Sequence, residues 1–204
     1  MQMEWNENHI ILTGTVGGEA VPSHQNHGIT YFRFPLQVRR LSGTEDVLNV
    51  VVARSLLELC PVRPGDACRV EGEVRSYNNR SGTGSKLVIT VYARTVEPGD
   101  GTHRNDLTLA GVLCKPPVLR RTPLGREICD MMLAVNRRYG RADYLPCIAW
   151  GGLAAWCSRL GVGDGLRLTG RLQSREYLKE LEGRTEQRTA FEISVMSLEP
   201  VKEE

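Results

Sequence analysis

The chain repeats itself. Asn8-His-Ile-Ile-Leu-Thr-Gly14 returns 97 residues later as Asn105-Asp-Leu-Thr-Leu-Ala-Gly111, Asp46-Val-Leu48 returns as Asp143-Tyr-Leu145, and Leu59-Cys60 as Trp156-Cys157. After small insertions, Gly65-Asp66 answers to Gly163-Asp164, Gly72 to Gly170, and Val96-Glu-Pro98 to Leu198-Glu-Pro200. A repeat this long copies a folding unit rather than a motif. The 204 residues therefore divide into two units of roughly 90–95 residues, each large enough for a core of its own. The expected layout is a first domain over 1–98, a linker over 99–104, a second domain over 105–200 and a short tail over 201–204. The linker, Gly99-Asp-Gly-Thr-His-Arg104, lacks large apolar residues and reads as flexible.

Charge separates the copies. The whole chain carries +2, but residues 1–100 hold 10 Lys/Arg against 11 Asp/Glu, whereas 101–204 hold 16 against 13. The basic character sits in the second copy. Six cysteines, at 60, 68, 114, 129, 147 and 157, form no Cys-x-x-Cys pair and have no histidine at a zinc-finger spacing. They read as small buried thiols of a reducing compartment, and no metal is expected. Met1-Gln-Met-Glu-Trp5 has no basic segment followed by an apolar run, so no leader is expected, and no run has the apolar length of a membrane span. The reading is a soluble cytoplasmic protein with no membrane partner.

Runs with period-2 alternation or β-branched enrichment predict five strands in the first copy: Ile10–Val16, Thr30–Val38, Leu48–Ala53, Ala67–Arg75 and Lys86–Val96. The second copy predicts five more: Leu107–Leu113, Glu127–Asn136, Tyr144–Trp150, Gly165–Ser174 and Thr189–Leu198. One short helix falls between strands three and four of each copy. It covers Ser55–Cys60, with Ser55 as cap and Pro61 as stop, and Leu153–Leu160, ended by Gly161. The expected fold class is all-β: two tandem five-stranded barrels of the oligonucleotide/oligosaccharide-binding (OB) type. The segments joining strands four and five, 77–85 and 179–187, read as polar loops.

No catalytic constellation emerges, and the chain reads as a non-enzyme without cofactors. Ser81-Gly-Thr-Gly-Ser-Lys86 lacks the phosphate-loop spacing and precedes a strand rather than a helix. Gly161-Val-Gly-Asp-Gly165 is a turn. His24 and His27 lie in a polar stretch with no third ligand nearby, and read as solvated loop histidines. Stacking on nucleic-acid bases needs flat side chains along one sheet face with cations beside them. The second copy has both. Tyr139, Tyr144, Trp150 and Tyr177 border strands two, three and four, and Tyr144 and Trp150, six residues apart on one strand, share a face. Arg120, Arg121, Arg137, Arg138, Arg141, Arg171 and Arg175 interleave with them.

At these residues the second copy resembles the bacterial single-stranded DNA-binding protein family. The matching stretches are Asn105–Gly111, Pro117-Val-Leu-Arg120 with Thr122-Pro-Leu-Gly125, Asp143–Gly151, and Gly170-Arg-Leu-Gln-Ser-Arg-Glu-Tyr177. The resemblance implies that Tyr139, Tyr144, Trp150 and Tyr177 stack bases of single-stranded DNA. It further implies little sequence preference, roles in replication, repair or recombination, and a homodimer that gathers four barrels near the nucleoid. Two departures stand out. The first copy has Ser42, Val47, Ala53 and Asn79 at the four aromatic positions, so its platform is expected to be absent and its role structural. The sequence ends at Leu198-Glu-Pro-Val-Lys-Glu-Glu204 without an acidic, Phe-ended tip, so recruitment of replication or recombination proteins by that route is not expected. A second reading stays open: a primosome-like or mobile-element accessory protein that acts mainly through protein partners.

Overall fold

The computed structural model describes residues 7–79, 85–137, 140–181 and 183–201. The chain forms two compact units: His9–Arg75 with Val88–Asp106, and Leu107–Glu204 with Ser76–Leu87 and Met1–Asn8. The strand-four to strand-five hairpin tip of the first copy thus belongs to the second unit.

The first copy contains β1 (Asn8–Val16), β2 (Val21–Asn26), β3 (Ile29–Arg39), β4 (Glu45–Ala53), α1 (Arg54–Leu59), β5 (Ala67–Asn78) and β6 (Leu87–Pro98). Its strands run in the order β2-β3-β4-β6-β5-β1, and β1 pairs back onto β3. Strands β1, β3, β4, β6 and β5 therefore close a five-stranded ring, with β4 and β6 parallel at Val50 and Val91. The second unit repeats this with β7 (Arg104–Leu113), β8 (Val118–Arg121), β9 (Glu127–Asn136), β10 (Ala142–Trp150), α2 (Gly151–Cys157), β11 (Gly165–Leu181) and β12 (Arg184–Pro200). Its order is β7-β11-β12-β10-β9-β8, with β7 pairing back onto β9 and β10 parallel to β12 at Cys147 and Ile193. Each ring has the expected connectivity of an OB barrel.

Alternation decides which side of each strand fills the barrel. On β4, Asp46, Leu48, Val50 and Val52 point inward and are buried, while Glu45, Val47 and Asn49 are exposed. Phe34, Leu36, Val70 and Val91 complete the first core; Leu109, Leu133, Leu145, Leu168 and Ile193 complete the second. Each such side chain contributes about 1.5–3 kcal/mol on burial. The repeated glycines mark where neighbouring backbones crowd. A Cβ on Gly14 would run into the carbonyl oxygen of Gln37, and one on Gly72 into that of Tyr92; Gly111 and Gly170 meet Ala134 and Ser194 in the same way.

Two strands escape the sequence pattern. Every residue of β2 and of β8 is exposed, so no burial imprints a period on them. They form because tight turns fold them back on β3 and β9. In the first hairpin, His27 (φ 48°) and Gly28 (φ 78°) both adopt the left-handed region that a two-residue turn requires. Arg120 and Arg121, expected in a loop, therefore lie on a strand. The expected loop 179–187 is mostly a hairpin as well: Lys179 pairs with Glu186, Glu180 with Thr185 and Leu181 with Arg184. Main-chain pairing alone extends β11 and β12 there, without an apolar face to signal it.

The helices shift by one to three residues from the expected spans. α1 starts at Arg54 with Ala53 as N-cap and no side-chain cap, so Ser55 lies inside the first turn; it still ends before Pro61. α2 starts at Gly151, whose φ of 57° suits glycine at the strand-to-helix corner. Its last turn loosens through the Arg159 amide to the Trp156 carbonyl and the Leu160 amide to the Cys157 carbonyl. Residues 99–104 are tied to the first unit: the Gly99 amide donates to Ala67 at 2.9 Å and the Arg39 amide to His103 Nδ1 at 3.0 Å.

Four of the six thiols, Cys68, Cys129, Cys147 and Cys157, are buried. Burial pushes Cys68 up to about 12 and Cys157 to about 11, and raises Cys147 and Cys129 as well. Thiolate, the reactive form, is thus scarce at these positions near pH 8. A thiol reagent at that pH should modify only Cys60 and Cys114 rapidly in the native chain, and all six after unfolding; fast native modification of a third cysteine contradicts this packing.

Candidate nucleic-acid interface

Strand registers sort the expected site residues by face. In the second unit, Ile148 on β10 lies beside Ser194 on β12, which pairs with Arg171 on β11. Residues in register project to the same side, and the side alternates along each strand. The outward face therefore carries Tyr144 and Trp150 from β10, and Arg171, Arg175 and Tyr177 from β11. Toward the other edge, Trp150 pairs with Ile128, and Ile128 with Arg120, which places Arg120 on this face too. Tyr144 is 50% exposed and Trp150 41%, enough for a ring to receive a base. Tyr177 carries the Arg175 guanidinium over its ring at 5.7 Å, a cation–π contact.

The arginines divide. Arg121 projects to the opposite face and pairs with Glu127 at 3.1 Å. Arg120 is held by both oxygens of Asp130, whose hydrogen bond raises the arginine's pKa and fixes the guanidinium on this face. Arg175 lies 3.7 Å from Glu192 and is otherwise exposed. Arg171 buries its Nε without a hydrogen-bond partner among the described residues. A buried donor left unpaired costs about 1–3 kcal/mol, so the site favours an acceptor there. Arg141 is exposed at the mouth of the loop before β10. Tyr139 and Arg138 fall outside the described residues.

Arg137, grouped by sequence with the surface cations, is instead part of the framework. Its guanidinium forks onto Asp143, with Nε at 2.5 Å from Oδ2, and donates to the Ser76 carbonyl at 3.0 Å. Asp143 is fully buried. The first unit has the same device: Arg40 forks onto Asp46 at 2.8 and 2.6 Å, and Asp46 is 1% exposed. The repeat thus preserves a buried ion pair across the hairpin between its second and third barrel strands.

Ser76 escaped the sequence reading altogether. Its amide donates to Asp143 Oδ1 at 2.5 Å, and its hydroxyl accepts from the Tyr144 amide at 2.7 Å. It anchors the start of β10 and so positions Tyr144. No local pattern marks this role, because its partners lie 67 and 68 residues away. Among the described residues, no three His, Cys, Asp or Glu side chains gather to hold a metal ion. No helix there is long and apolar enough to cross a membrane.

A family model described as "Single-strand binding protein family" matches residues 104–201. The chain is also 34% identical over 86 residues to single-stranded DNA-binding protein B of Bacillus subtilis, covering 74% of that protein and 37% of this chain. The chain belongs to the single-strand binding protein family. Other family relatives match in part: the single-stranded DNA-binding protein of Thermus aquaticus is 33% identical over 129 residues, 53% of this chain and 49% of that protein. Its Thermus thermophilus counterpart is 43% identical over 72 residues, 33% of this chain and 27% of that protein. The chain thus spans about half or less of the length of these Thermus relatives. Among solved structures, the wild-type single-stranded DNA binding protein from Thermus aquaticus superimposes with a TM-score of 0.79 at 25% identity, covering 98% of this chain and 95% of that one. A deletion mutant of the same protein gives 0.80 at 26%, covering 99% and 98%. The family match falls on the copy that carries the exposed aromatic face.

Proposed function

We propose that this chain binds single-stranded DNA with little sequence preference and without catalysis, and that the second unit supplies the main surface. One observation carries the reading: Tyr144, Trp150, Tyr177, Arg120, Arg171 and Arg175 converge on one barrel face of a single-strand binding family member. Bases stack on the three rings and on Tyr139, each contact worth about 1–3 kcal/mol, because every base has a flat face whatever its identity. Arg120, Arg171, Arg175 and Arg141, with Arg138, neutralise phosphates. Arg121 and Arg137 leave the contact set, one for its face and the other for its pairing with the buried Asp143. The first unit contributes structure and assembly, in a homodimer that brings four barrels together. The setting is replication, repair or recombination in the cytoplasm.

Anisotropy of a labelled oligo-dT strand over a salt series tests this. Single strands lose affinity with a log–log slope near −0.7 per phosphate neutralised, so about five contacts give a slope near −3.5. Arg171→Ala with Arg175→Ala should flatten it by roughly 1.4. Absence of binding at micromolar protein rejects the reading and transfers the function to protein partners. A matched RNA strand as competitor sets the preference between the two nucleic acids.

A further inference from the structure

The first unit has its own aromatic face, built from different strands. In the second unit Trp150 on β10 pairs with Ile128 on β9. The repeat places Ala53 and Tyr31 at these two positions, and they too are in register. The aromatic has moved from the third barrel strand to the second. On the other side of β4, Val51 is in register with Tyr92 of β6. Ala53 and Val51 are small enough that Tyr31 and Tyr92 reach toward each other over β4. Their hydroxyls hydrogen-bond at 2.8 Å and their rings lie 5.6 Å apart.

His24, expected as a solvated loop residue, lies on β2 in register with Tyr31 and stacks on its ring at 4.8 Å with only 10° between planes. Tyr31 is 6% exposed, while His24, stacked over it, is itself an exposed residue. Around Tyr92, Arg94 lies at 5.0 Å from the ring centroid and Arg75 at 5.8 Å. Arg33 projects from β3 on the same face, one residue pair along. Glu73 answers Arg94 at 2.7 Å and also pairs with Arg75, so two guanidinium groups share this carboxylate. Burial and the Tyr31 hydrogen bond hold the Tyr92 hydroxyl protonated, pushed up to about 12, so it adds no negative charge.

We propose that His24, Tyr31 and Tyr92, flanked by Arg33, Arg75 and Arg94, form a second stacking site for single-stranded nucleic acid on the first unit. The exposed imidazole receives a base with Tyr31 as its backing plate, and the arginines take the neighbouring phosphates. The four positions at which the first copy lacks aromatics are thus the wrong place to look, since the equivalent surface is supplied by neighbouring strands. The inference rests on the nucleic-acid reading of the second unit.

Both faces can be tested in the full chain with a dT strand of about 10 nucleotides, within the span of one barrel, and one of about 30. The variant is His24→Ala with Arg94→Ala, both exposed, checked for an unchanged thermal transition. The 30-mer should bind about fivefold to a hundredfold more weakly and cover fewer nucleotides per chain, while the 10-mer, held by the second unit, keeps its affinity. A 5-bromouracil strand should also photocrosslink to a peptide containing His24, Tyr31 or Tyr92. If the variant binds the 30-mer with unchanged affinity and stoichiometry, this inference fails and the second-unit reading survives. If the unmodified chain binds neither strand, both fall.

Discussion

Replacing Trp150 and Tyr177 together by alanine is expected to weaken oligo-dT binding by about 2–6 kcal/mol, a loss of roughly thirtyfold to more than ten-thousandfold. Each ring offers a stacking surface, and neither is a fully buried core residue: Trp150 is 41% exposed and Tyr177 half-buried. The loss should therefore appear in affinity, with little change in melting temperature. Trp150→Phe and Tyr177→Phe keep a flat ring and should recover most of the binding, which separates stacking from hydrogen bonding by the indole or phenol. Unchanged affinity in the double alanine variant would remove these rings from the site. Anisotropy is the suitable readout, since Trp5 and Trp156 also contribute to intrinsic fluorescence.

Asp143→Ala is expected to be the most damaging single change to stability. The carboxylate is wholly buried, receives the fork of Arg137, and accepts the Ser76 amide. Removing it strands a guanidinium that is only 24% exposed and leaves a buried amide unpaired. Breaking one side of a buried pair typically costs about 3–5 kcal/mol. For a unit near 100 residues this lowers the melting temperature by more than about 10 °C. Arg137→Met combined with Asp143→Leu should be milder than Asp143→Ala, because no charge is left behind. Ser76→Ala tests the positioning role: a modest loss of stability with a larger loss of DNA affinity fits displacement of Tyr144, whereas equal binding would make Ser76 purely structural. A melting temperature within 1–2 °C of the parent for Asp143→Ala would show that the pair does not hold this corner.

The barrels were legible because burial on one face writes a period of two into the strand, as in Glu45–Val50, and because the glycines that let backbones approach recur in both copies. Strands β2 and β8 left no such trace, since nothing on them is buried. The hairpin beyond Tyr177 was hidden for the same reason. Among the cations, sequence proximity could not separate Arg120 from Arg121, which point to opposite faces, or Arg137, whose partner Asp143 looks locally like any strand-end carboxylate.

From the residues alone came the duplication, the β class, the barrel order, and the set of rings from which a stacking surface is assembled. All of these follow from local periodicity and from the comparison of one copy with the other. Register between strands was left to the tertiary structure. It gathered Tyr144, Trp150, Tyr177 and Arg120 on one face and turned Arg137 inward. It also brought Ser76 beneath Tyr144 and set Tyr31 opposite Ala53, where the second copy has Ile128 opposite Trp150. Register is a long-range hydrogen-bonded pairing, and a ring lost from one strand and regained on its neighbour leaves a position-by-position comparison blank while the surface keeps an aromatic.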